Sequence, residues 1–161
     1  MIITPLFIVF NIFVFVLVWF FVKTIDERKW LNILVSLVLT PVVYFYIFYP
    51  FVNIFASYHH QKYFNETTWK TKAALRYEMS DDLINKKFLI GKTKQEVQSV
   101  LGETEWLGWD DNKKEHTNSI WNYNLGIEPG AFNDMQECLK LTFENEKVIA
   151  IEQYQIEVKF E

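Results

Sequence analysis

The sequence predicts an α+β protein: an N-terminal transmembrane helical hairpin followed by a small αα-βββ domain with a three-stranded antiparallel sheet. Three observations predict it. Two long apolar runs near the N-terminus contain no charged residue. A short helix farther along has both ends marked by capping residues. Two stretches near the C-terminus alternate apolar and polar residues, as strands with one buried and one solvated face do. On this reading residues 1–56 hold two spans, about 2–22 and 31–54, joined by a short basic loop. Residues 57–67 connect them to a soluble domain at 68–161.

The spans come first. Met1–Val22 and Leu31–Ala56 are free of Asp, Glu, Lys and Arg. Crossing hydrocarbon takes about 20 predominantly apolar residues at helical rise, and both runs reach that length. They are too long for core helices of so small a domain. Trp19, Trp30, Tyr44, Tyr46 and Tyr49 lie near the span ends, where amphipathic rings prefer the headgroup zone. A signal peptide fits poorly: no basic segment precedes the first run, and bulky Trp19-Phe20-Phe21-Val22 stands where a cleavage site would need small residues. Pro5, Asn11 and Pro41 read as kinks or helix ends. With no ionisable residue inside the spans, they read as an anchor rather than a transport path.

Orientation follows from the loop. Lys23–Lys29 carries three basic residues in seven, whereas the next basic side chain after the second span is Lys62. Basic residues close to span ends stay cytoplasmic. The expected location is the cytoplasmic (inner) membrane, multi-pass, with the C-terminal domain on the non-cytoplasmic side.

The soluble part begins with a polar connector containing His59-His60, read as juxtamembrane filler. Thr68–Lys87 is predicted helical, with Trp69, Ala73, Arg76, Met79 and Leu83 on one stripe. Ser80 could cap a second, shorter helix, so one helix or two both fit. Thr93 and Glu96 have the spacing of a capping box, Val97, Val100 and Leu101 form the buried stripe, and Gly102 ends the helix. Ser119–Leu125 and Glu137–Glu144 alternate, Glu144–Lys147 is a tight turn, and Val148–Ile151 resumes a strand. Past Ile151 the apolar positions switch to Tyr154, Ile156, Val158 and Phe160, the last outside the residues described below, which predicts a β-bulge or a projecting edge strand near Glu152-Gln153. Asp110–Asn118 and Gly126–Met135 are predicted loops.

Several of these residues carry a resemblance. Gly91-x-Thr93-x-x-Glu96-Val97-x-x-x-Leu101-Gly102, then Trp121-x-Tyr123, then Leu139-x-Leu141-x-Phe143-Glu144-Asn145-x-x-Val148 together resemble the SmpA/OmlA family. Its members are small envelope lipoproteins, accessory to the machine that inserts outer-membrane β-barrels. The likeness covers roughly Asp82 to Ile151. Glu103-Thr104 stands where the family usually has proline, and a membrane hairpin takes the place of the lipidated N-terminal cysteine. The same unit resembles the repeat of proteinaceous β-lactamase inhibitors. The resemblance implies a fold and a habit of binding other proteins.

Chemistry is sparse. The histidines are His59, His60 and His116, with no nucleophile motif near them. Asp81-Asp82 and Asp110-Asp111 read as helix-start charge and solvated loop. No phosphate loop, metal cluster or cofactor motif is recognisable. From Asn53 onward the chain has 13 Lys+Arg against 18 Asp+Glu, an acidic balance that disfavours nucleic acid. The lone Cys138 has no partner for an internal disulfide. The expectation is a non-catalytic, membrane-anchored protein-binding or scaffold protein of the bacterial cell envelope, without a cofactor. The alternative is a membrane-anchored inhibitor or immunity protein that neutralises an enzyme or toxin. Candidate partner-binding residues are Trp106 and Trp109, although such large rings more often form core edge, the loop acids Asp110 and Asp111, and the wet sheet face Asn122, Asn124, Lys140 and Thr142.

Overall fold

The computed structural model describes residues 1–110 and 113–158. The chain divides into two compact units, one of Ile2–His60 with Pro129–Phe132, the other of Gln61–Glu128 with the chain from Asn133 onward.

The first unit is a helical hairpin. Helix α1 runs Pro5–Lys23; Thr4 caps it, its Oγ1 accepting from Phe7 N–H at 3.2 Å, and Pro5 sits at the first turn, where no N–H is needed. Helix α2 (Lys29–Val43) passes through a π-helical segment (Tyr44–Phe48) into α3 (Tyr49–Phe55), one continuous rod. The π segment lies between Pro41 and Pro50, each of which withholds one N–H from the helical ladder. Val14, Val18 and Val22 of α1 are buried, as are Asn32, Ser36, Thr40 and Tyr44 on the opposing rod, four residues apart. Small polar residues let helices approach closely, and Thr40 Oγ1 satisfies itself on Ser36 O at 2.7 Å. Most of the remaining side chains on these helices are apolar and exposed. Both are long and apolar enough to cross a membrane, with only 17% and 22% of their apolar windows buried. A core helix of a water-soluble protein would show the reverse.

The second unit is a four-stranded antiparallel sheet, order β1-β2-β3-β4, with helices on one face. The strands are β1 (Trp106–Asp110), β2 (Glu115–Ile127), β3 (Met135–Glu144) and β4 (Lys147–Glu157). The predicted three strands become four, because Trp106–Asp110 pairs with Glu115–Asn122. Asp110 and Glu115–Asn118 of the predicted loop are therefore hairpin strand; charged residues suit an edge that water wets on both sides. The β3–β4 turn has Asn145 and Glu146 both at positive φ, as a tight two-residue hairpin requires.

The helical layer is α4 (Glu66–Thr71), a 3₁₀ turn (Ala73–Leu75), α5 (Tyr77–Asn85) and α6 (Lys94–Leu101). Of the two alternatives, two helices form, and they break at the 3₁₀ turn rather than at Ser80. Ser80 lies inside α5, donating to Tyr77 O at 3.1 Å, and caps nothing. Ala73 falls in the break and is exposed, while Trp69, Arg76, Met79 and Leu83 are buried. The break meets the sheet at Gly126 (φ +97°), where an added Cβ would stand 2.2 Å from Ala74 O. The α6 capping box forms as read: Glu96 N–H donates to Thr93 Oγ1 and Thr93 N–H to Glu96 Oε2 at 2.8 Å.

These helices cover Trp121, Tyr123, Leu125, Leu139, Leu141, Phe143 and Val148. The expected bulge at Glu152-Gln153 is absent: Lys140 faces Glu152 and Leu139 faces Gln153 in unbroken register. The irregularity sits earlier, with Phe143 opposite Val148 and Thr142 opposite Ala150, so Ile149 is the extra residue. Beyond it, Gln153 and Gln155 turn to the helix-side face and donate to buried Glu137 at 2.8 and 2.5 Å. Tyr154 and Ile156 turn to the other face. The change of apolar parity is thus a real change of face, supported by a polar cluster at that end of the core.

Candidate functional site

The face of the sheet away from the helices carries Trp106, Ile120, Asn122, Asn124, Lys140, Thr142, Glu152 and Tyr154, as their register pairs dictate. A groove of about 770 Å³ lies on it, bounded by Trp106, Trp109 and His116 on the β1 side and by Lys140, Glu152 and Tyr154 on the β3–β4 side. Its depth depends on Gly108. Ile120 lies over that glycine so closely that an added Cβ would stand 2.2 Å from Ile120 Cγ2.

Asn122 lies within this groove and is only 3% exposed. Tyr154 Oη donates to Asn122 Oδ1 at 3.0 Å, and Asn122 Nδ2 donates to Trp106 O at 3.4 Å. Burial pushes the Tyr154 phenol above its ordinary value, which keeps it a donor. Asn122 is therefore a satisfied polar group of the floor, not the wet contact its alternation predicts. Lys140 and Glu152 form a cross-strand ion pair at 2.8 Å, both partly exposed. Trp109 is 51% exposed, its ring edge-to-face with His116 at 5.3 Å between centroids. His116 itself is held by a contact of Nδ1 with Leu107 O at 3.2 Å.

The structure thus brings Trp106, Trp109, Asn122 and Lys140 to one groove. Three other candidates serve elsewhere. Asn124 closes its own bulge, with Oδ1 accepting from Gly126 N–H at 2.7 Å. Asp110 organises the β1–β2 turn, its carbonyl accepting from Lys114 N–H at 2.7 Å. Thr142 is half-buried opposite Ile120, outside the groove. Asp111 lies outside the described residues. Tyr154, Glu152, Ile120 and His116 join the groove without having been read as site residues. The shift of apolar parity after Ile151 was the signal for Tyr154.

Chemically the groove offers aromatic surface, one ion pair and an imidazole. Cys138, next to it on the same face, is fully buried, and burial raises its thiol above the ordinary value, so it is no nucleophile at neutral pH. Among the described residues no group of three His, Cys, Asp or Glu side chains is placed to hold a metal ion.

The hairpin unit has its own polar feature. His60 sits among the rings of Phe7, Tyr44, Phe45, Tyr49 and Tyr58, with centroids 4.6–5.8 Å away. Its Nε2 lies 3.0 Å from Tyr44 Oη. The residue read as juxtamembrane filler is a packed one.

No protein-family model matches the chain, and no curated protein or solved structure matches it.

Proposed function

We propose that this chain is a non-catalytic, membrane-anchored protein-binding or scaffold protein of the bacterial cell envelope, with the open sheet face as its docking surface. The observation that carries the reading is the groove beside Trp109. A half-exposed tryptophan, a second tryptophan, an isoleucine and a tyrosine line a concave face that no helix of the domain covers. Aromatic anchors in such a setting dominate protein–protein binding energy. The Lys140–Glu152 pair supplies a charged rim, which gives orientation more than affinity. The outward apolar faces of α1 and α2 support an anchor in the bilayer. Lys23, Arg28 and Lys29 between the spans support a cytoplasmic loop and a domain on the other side of the inner membrane.

Site-specific photocrosslinking in cells tests the docking face. A crosslinker at Trp109 is expected to trap a discrete protein adduct, and one at Ile90, exposed elsewhere on the domain, none. Substituting the other tryptophan, Trp106→Ala, then cuts the Trp109 adduct about tenfold or more. Identical adducts at the two positions, or an adduct indifferent to Trp106, would sink the docking surface. Topology has its own test. A cysteine at Lys113 should react with a membrane-impermeant thiol reagent before lysis, in spheroplasts where an outer membrane blocks access. One at Ile25 should react only after lysis. Buried Cys138 contributes little background. The opposite pattern would place the domain in the cytoplasm.

A further inference from the structure

At the loop end of the hairpin a cavity of about 550 Å³ is lined by Trp19, Lys23, Glu27, Lys29 and Asn32. Neither lysine is in an ion pair among the described residues, whereas Arg28 is spent on Asp26, with Nη2–Oδ2 at 2.8 Å. Lys23 Nζ lies over the Trp19 ring, 5.5 Å from its centroid. Helix α2 begins here without a side-chain cap and without an acidic residue in its first turn, leaving its positive end open. Asn32 is 98% buried: its Nδ2 donates to Asp26 O at 2.7 Å, and its Oδ1 has no donor among the described residues. Two cationic groups, an open helix N-terminus and the Glu27 carboxylate together describe a ligand that is anionic at one atom group and a hydrogen-bond donor at another.

We infer that this cavity binds the headgroup of an anionic, hydroxyl-bearing phospholipid of the phosphatidylglycerol class. The inference rests on the reading of α1 and α2 as membrane spans. Trp19 and Trp30, the latter 66% exposed, then set this end at headgroup depth, where phosphodiesters are the abundant anions. Charge balance selects the class. Lys23 and Lys29 against Glu27 leave one positive charge, which a singly anionic phosphodiester neutralises and a zwitterionic headgroup does not. The phosphate oxygens accept from the two ammonium groups and the first free amides of α2. The glycerol hydroxyls donate to the Glu27 carboxylate. The lipid is held as a fixed ligand, not as bulk solvent.

The test uses the full chain in non-ionic detergent, titrated with phosphatidylglycerol or phosphatidylcholine of matched acyl chains and read by native mass spectrometry. One phosphatidylglycerol adduct is expected, retained at least about fivefold over phosphatidylcholine. The K23Q/K29Q variant should fall to the phosphatidylcholine level, K23R/K29R should retain the preference, and K113Q/K114Q should leave it unchanged. Millimolar inorganic phosphate should not displace the adduct; displacement would mean that the site reads a free anion and would overturn the lipid assignment. Equal retention of the two lipids, or a K23Q/K29Q variant that keeps the preference, overturns the site. Flotation with liposomes separates this from the anchor. A wild-type chain that floats without lipid preference loses the site alone, and one that does not float loses the anchor and the site together.

Discussion

Arg76 holds three parts of the domain together through one side chain. Its Nε donates to Trp69 O at 2.9 Å, its Nη1 to Asn124 O at 2.9 Å, and Nη1 pairs with Glu105 Oε1 at 2.5 Å. Its guanidinium also lies 5.1 Å from the centroid of the buried Trp69 ring. The stripe that includes Arg76 marks it as inward-facing, but its partners on β2 and before β1 are 48 and 29 residues away and leave no local pattern. Arg76→Ala removes these bonds and leaves buried carbonyls without donors. A loss of about 3 kcal/mol is expected, measured by urea unfolding of the full chain in micelles with tryptophan emission as readout. A loss below about 1 kcal/mol would mean that water replaces the guanidinium. The groove floor gives a smaller prediction. Tyr154→Phe keeps the ring but strips Asn122 Oδ1 of its donor, at a cost of about 1–2 kcal/mol. Partner capture at Trp109 should survive it, since the ring still fills the groove.

Elements differ in how much of them the sequence discloses. Helix α6 is legible because both its ends are local: Thr93, Glu96 and Gly102 act within eight residues of Lys94. Strands β2 and β3 are legible because their alternation faces one core. Strand β1 is not, since Trp106–Asp110 has half-buried positions on both faces and a glycine that only Ile120 explains. Strand β4 misleads because Val148 and Ile151 face the core, whereas Tyr154 and Ile156 turn to the other face, Tyr154 into the groove. The capping box supports a pH prediction. Hydrogen bonds from Thr93, the backbone N–H first, hold the Glu96 carboxyl below its ordinary value of 4.5. A carboxylate with a depressed folded pKa adds stability above its unfolded pKa and loses it as pH falls through the folded one. The stability advantage of wild type over Glu96→Gln should therefore shrink as pH drops from 6 to 3, followed by thermal unfolding at each pH. An advantage that stays constant would locate the role of Glu96 elsewhere.

At the scale of the whole molecule, two units with opposite burial logic share one chain. The hairpin buries a narrow seam of valines against Asn32, Ser36, Thr40 and Tyr44 and leaves most of its other apolar side chains exposed. The domain buries its apolar residues between helices and sheet and presents charge. This division is the most legible feature of the sequence, because a charge-free run of span length is a one-dimensional signal. The groove is legible only in part, since it needs the pairing of four strands to assemble. The division makes a prediction. Every apolar residue of the domain core, from Phe64 to Ile151, lies after His60. A chain starting at Gln61 keeps that whole core and loses the apolar exterior that demands a bilayer. It should be soluble without detergent, with dispersed amide resonances and a cooperative thermal transition. The full chain should need detergent or lipid to stay in solution. Aggregation of the shortened chain, or a spectrum collapsed to random-coil positions, would show that the hairpin completes the domain rather than anchoring it.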